Sequence, residues 1–73
     1  MYLIKITYID KYDKYAGKEE CVSVNEKLDI AIKNVNYIEK IYKNIFKITI
    51  LKYDINTLFS NSFDVVWSKI YYD

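Results

Sequence analysis

The stretch NEKLDIAIKNVNYIEKIYK, residues 25–43, decides the fold. It is the one segment long and periodic enough for a helix of several turns. Placed at steps of about 100°, Leu28, Ala31, Ile32, Val35, Ile38 and Tyr42 make one broad apolar stripe. Ile30, Tyr37 and Ile41 make a second stripe on nearly the opposite side, and Asp29, Lys33, Asn36, Lys40 and Lys43 fill the remaining wedge. Asn25 is the expected N-cap, because its side chain can accept a bond from an orphan helix N–H. Glu26 suits the positive start of the helix, and Lys40 and Lys43 suit its end. Asp29–Lys33 and Glu39–Lys43 are acid-before-base pairs at i,i+4, each contributing about 0.2–0.5 kcal/mol.

Strands flank the helix on both sides. In residues 2–9, Tyr2, Ile4, Ile6 and Tyr8 alternate with Leu3, Lys5, Thr7 and Ile9. Residues 10–20 are polar and hold the only glycine, Gly17, so a hairpin loop or a pair of frayed strand ends is expected there. Residues 21–24 form the return strand. In residues 46–53, Phe46, Ile48 and Ile50 alternate with Lys47, Thr49 and Leu51. Residues 54–62 are a loop or one helical turn capped by Asp54. In residues 63–72, Val65, Trp67 and Tyr71 oppose Val66, Ser68 and Ile70.

The order is therefore ββαββ, and the expected fold is α+β, with one helix packed on a four-stranded, mostly antiparallel sheet. Residues 1–73 make a single compact domain, since a second core would have too few residues to close. An internal echo relates Ile4-Lys5-Ile6-Thr7 to Phe46-Lys47-Ile48-Thr49. Either a duplicated hairpin or biased composition with shared strand chemistry accounts for it.

The inventory excludes most chemistry. The chain has no His, no Arg and no Pro, with one Gly and one Cys. Without His, the Ser–His and Cys–His nucleophile pairs are impossible within one chain. One Cys makes neither an internal disulfide nor a multi-thiolate zinc site. One Gly cannot write a phosphate-cradling loop. Aligning Gly17 with the glycine of a calcium-binding EF loop puts Tyr12 first and Ser23 last, where carboxylates are required. No enzyme activity, cofactor or metal site is expected. The net charge of +1 gives no long-range field. The longest apolar run is the first four residues, so no membrane span is expected, and a free thiol with no targeting segment fits a cytoplasmic location.

Three features remain for function. The first is the second helix stripe, Ile30, Tyr37 and Ile41. One sheet covers one side of a helix, so this stripe meets the 54–63 connection through Leu58 and Phe59, a second copy, or a partner. The second is the outer sheet face, where Lys5, Thr7, Lys47 and Thr49 are expected, with Cys21 and Ser23, and with Trp67, Lys69 and Tyr71 from the last strand. Lysines interleaved with aromatics there would stack single-stranded nucleic acid. The third is the loop with Tyr12 and Tyr15, since tyrosine offers a large rigid contact area at small entropic cost.

The leading expectation is a protein-binding module with Tyr12, Tyr15, Ile30, Tyr37, Ile41, Trp67 and Tyr71 as contact residues. In size, charge economy and composition the chain is similar to small accessory proteins of phages and mobile elements. These include inhibitors of bacterial defence systems such as anti-CRISPR proteins. That resemblance implies inhibition of a host or defence protein by steric occlusion, and it assigns no residue roles. The alternatives are single-stranded nucleic-acid binding through the Lys/aromatic sheet face and a homodimer through the second helix stripe.

Overall fold

The computed structural model describes residues 1–9, 17–54 and 62–71 of the chain. The expected fold is the observed one. Strands β1 (Tyr2–Tyr8) and β2 (Glu19–Asn25) precede helix α1 (Leu28–Ile41), and β3 (Ile45–Asp54) and β4 (Ser62–Ile70) follow it. The strands form one antiparallel sheet in the order β2-β1-β3-β4. Because β2 and β3 both run antiparallel to β1, they are parallel to each other. The chain crosses from one to the other through α1, with β1 between them.

The core follows from the strand alternation. Ile4 faces Ile50 and Ile6 faces Ile48 across the β1–β3 ladder, and all four side chains are fully buried. Burying each stabilises the fold by about 1.5–3 kcal/mol relative to exposure. The helix covers them with Ala31, Val35 and Ile38, and Leu28 and Tyr42 pack at its two ends.

The internal echo falls on the symmetry of the sheet. Lys5 pairs with Thr49, Ile6 with Ile48 and Thr7 with Lys47. A two-fold axis between Ile6 and Ile48 thus carries Lys5-Ile6-Thr7 onto Lys47-Ile48-Thr49, and the match stops at Phe46, which the β1–β3 register skips.

The structure corrects the helix reading in three places. Asn25 is not the cap. It is the last residue of β2, its side chain hydrogen-bonds Asn34 and Ser23, and the cap position falls to Lys27 with no side-chain bond. Ile32, expected on the inner stripe, is exposed. The helix rests on β1 and β2, so only the narrow arc of Ala31, Val35 and Ile38 points inward. The helix also ends at Ile41, before Lys43, and Glu39 turns toward β4. Past the helix, Asn44 takes a left-handed backbone (φ 61°), a conformation Asn tolerates better than most residues, and this reverses the chain into β3.

Three single-residue irregularities interrupt the ladders; one, in β3, skips Phe46 between Thr7↔Lys47 and Tyr8↔Ile45, and the other two control which of the expected outer-face side chains share a face. In β2 the pairing skips Val22, between Ile4↔Ser23 and Lys5↔Cys21. In β4 it skips Val66, between Ile50↔Trp67 and Leu51↔Val65. Each inserted residue reverses the alternation beyond it. Cys21 and Ser23 therefore lie on opposite faces, and so do Val65 and Trp67. Trp67 and Lys69 lie opposite Ile50 and Ile48, on the helix side, and Tyr71 packs against the core there. The expectation that these three belong to the outer sheet face, and that Ser23 does, is overturned.

Candidate functional site

The outward side of α1 carries Ile30, Tyr37 and Ile41, which are 43%, 64% and 54% exposed. They were expected on one stripe, and the helix brings them there because their spacings of seven and four residues return to one side. Toward β2 this stripe descends into a groove of about 210 Å³ lined by Val22, Asn34, Tyr37, Ile41 and Tyr42.

The groove has a fixed floor. Asn34 Nδ2 donates to Asn25 Oδ1 at 2.7 Å, and Asn25 Nδ2 donates to Ser23 Oγ at 3.0 Å. Asn25 is buried, so the tie joins helix to strand where an unpaired amide would be costly. Val22, Asn34 and Tyr42 were missed as groove residues. Sequence alternation with Cys21 and Ser23 already turns Val22 toward the helix, but no sequence signal marks a groove beside it.

A second cluster closes the other side of the helix. The Tyr71 hydroxyl donates to Glu39 Oε1 at 2.6 Å, and Lys69 Nζ lies 3.7 Å from the same oxygen. The Lys69 ammonium also sits 4.9 Å from the centre of the Tyr71 ring, within cation–π reach. Burial, then the hydrogen bond and charge of Glu39, push the Tyr71 hydroxyl well above its usual range. Tyr8 behaves alike. Its hydroxyl donates to Glu20 Oε2 at 2.9 Å, and burial first, with Glu20 second, pushes it up to about 12. Both phenols are hydrogen-bond donors at neutral pH, not bases.

The face of the sheet away from α1 is graded. Val24, Leu3, Leu51 and Val65 form an apolar row across all four strands. The next row is Cys21, Lys5, Thr49 and Ser68, and the third is Glu19, Thr7, Lys47 and Ile70. Leu3, Lys5, Cys21 and Leu51 line a shallow hollow of about 430 Å³. Lys5 pairs with Glu19 at 3.3 Å. The Thr7 and Thr49 hydroxyls are buried here with no hydrogen-bond partner among the described residues. The nucleic-acid reading needed Trp67 and Tyr71 on this face, and they are on the other.

Of the remaining expected contact residues, Tyr12 and Tyr15 lie outside the described residues, as do Leu58 and Phe59. Trp67 and Tyr71 are half-buried against the core. Cys21 is an exposed free thiol whose sulfur lies 3.9 Å from the Ser23 carbonyl oxygen, a weak contact. Among the described residues no helix is long and apolar enough to cross a membrane. Comparison of the chain with protein-family models, curated proteins and solved structures returned no match.

Proposed function

We propose that the protein is a small non-enzymatic binding module that grips another protein through the outer stripe of α1 and the groove beside it. The observation that carries this reading is the exposure of Ile30, Tyr37 and Ile41 on a helix whose opposite side already packs on the sheet. Tyr37 has the geometry of an anchor. It is large and rigid, it stands on a helix held by the Asn34–Asn25 tie, and it borders a groove that receives a partner side chain. The partner class, a host or bacterial defence protein inhibited by steric occlusion, is what the resemblance to small phage and mobile-element accessory proteins implies.

Affinity capture from a bacterial lysate, comparing the wild-type chain with Tyr37→Asp, tests the reading. It expects a protein enriched by the wild type and lost with the variant, while circular dichroism stays unchanged. Equal recovery by both chains, or unfolding of the variant, contradicts it.

A further inference from the structure

The two edges of the sheet differ. β2 opens with Glu19 and Glu20 and contains no basic residue. β4 is nine residues long and presents Val65, Val66 and Ile70 to solvent, with Val65 63% exposed. An exposed apolar edge of that length is a template for another strand, and natural proteins guard such edges with charge. Here the guards are Asp64 and Lys69. They have opposite signs and sit at equal distances from the Val66–Trp67 peptide.

We propose that β4 pairs antiparallel with β4 of a second copy, about a two-fold axis through that peptide. Asp64 then faces Lys69 of the partner subunit, Val65 faces the partner's Ser68, and both contacts occur twice. The extra residue at Val66 is what permits this register. Asp64 and Lys69 are five positions apart, and in a regular strand they would lie on opposite faces. Past the irregularity both lie on the helix side, opposite Lys52 and Ile48 of β3, while Val65 and Ser68 share the outer face. Both of these pairs are therefore face-matched. Like-signed guards would repel in any self-pairing, whereas this pair attracts in one register. Lys69 remains half-exposed beside Glu39, so its ammonium is accessible to a second carboxylate. β2 has no such complement.

The axis stands perpendicular to the sheet, so the product is an eight-stranded antiparallel sheet with both helices on one side. The Ile30–Tyr37–Ile41 stripe is then displayed twice in the same direction. This goes beyond the binding role of the helix and does not depend on it.

The test is light scattering of the full chain, free of any partner, at rising concentration, with disulfide trapping to read the register. In a Cys21→Ser background, mixing Val65→Cys with Ser68→Cys chains under mild oxidation is expected to give a cross-linked dimer of the two different chains. Each chain alone is expected to cross-link poorly. Asp64→Lys places like charges across the axis twice, and it is expected to weaken the dimer about tenfold with the fold intact, as is high salt to a lesser degree. Light scattering that shows a monomer at millimolar concentration overturns the proposal. So do preferential Val65→Cys self-cross-links, or a dimer lost with Tyr37→Asp but kept with Asp64→Lys.

Discussion

The Tyr71 hydroxyl donates to Glu39 across 2.6 Å, joining the residue just past β4 to the last turns of α1. This is a bond between elements that meet little elsewhere, since the helix rests mainly on β1 and β2. A hydrogen bond to a charged acceptor is stronger than a neutral one, but the pair is only partly buried and solvent screens it. Tyr71→Phe keeps the ring against the core and removes the donor. The expected cost is about 1 kcal/mol, read as a lower denaturant midpoint with an unchanged slope. An unchanged midpoint would show that the bond adds nothing.

Alkaline pH tests both tyrosines. Their hydroxyls titrate higher in the folded chain than the ordinary value of 10.0. The folded state therefore holds protons that the unfolded state releases. Stability from these bonds is complete below pH 10 and falls as pH rises through about 12 for Tyr8, with Tyr71 following higher. Thermal melts above pH 10 are expected to drop more steeply for the wild type than for a Tyr8→Phe, Tyr71→Phe double variant. Parallel curves contradict the assignment.

The buried Thr49 hydroxyl has no partner among the described residues, and it sits at the centre of the sheet. Thr49→Val keeps the β-branched shape and removes a polar group whose burial without a partner is unfavourable. A gain of about 1 kcal/mol is expected, measured by denaturant unfolding. Destabilisation by that amount would mean that the hydroxyl is bonded.

The Asn34–Asn25 bond holds the groove together. Asn34→Ala leaves the buried Asn25 oxygen without its donor, and a loss of about 1–2 kcal/mol is expected. A double-mutant cycle with Asn25→Ala should show strong coupling. Additive losses would place the two amides in independent environments.

What the sequence made legible was periodicity that no insertion interrupts. Ile4 and Ile6, and Ile48 and Ile50, read inward by alternation alone, and Ala31, Val35 and Ile38 did so by helical spacing. The element order followed, and so did the placement of Ile30, Tyr37 and Ile41 on one stripe away from the inward arc. What failed did so for local reasons. Val66 inserts one residue into β4, so Trp67 and Val65, expected on one face, are on two. Val22 does the same for Cys21 and Ser23. Asn25 has the chemistry of a cap, but its burial beside Asn34 gives its amide a different use. Ile32 belongs to a stripe wide enough for a helix centred on a sheet, and this helix lies toward one edge.

The central claim is that the outer side of α1 is the binding surface. Its most direct test is the affinity of the captured partner for three chains: wild type, Tyr37→Asp, and Lys47→Ala on the opposite sheet face. A hot-spot aromatic contributes about 2 kcal/mol or more, so Tyr37→Asp is expected to weaken binding at least about thirtyfold. Lys47→Ala is expected to leave it unchanged. Binding that survives Tyr37→Asp and falls with Lys47→Ala would move the interface to the open face of the sheet and contradict the account.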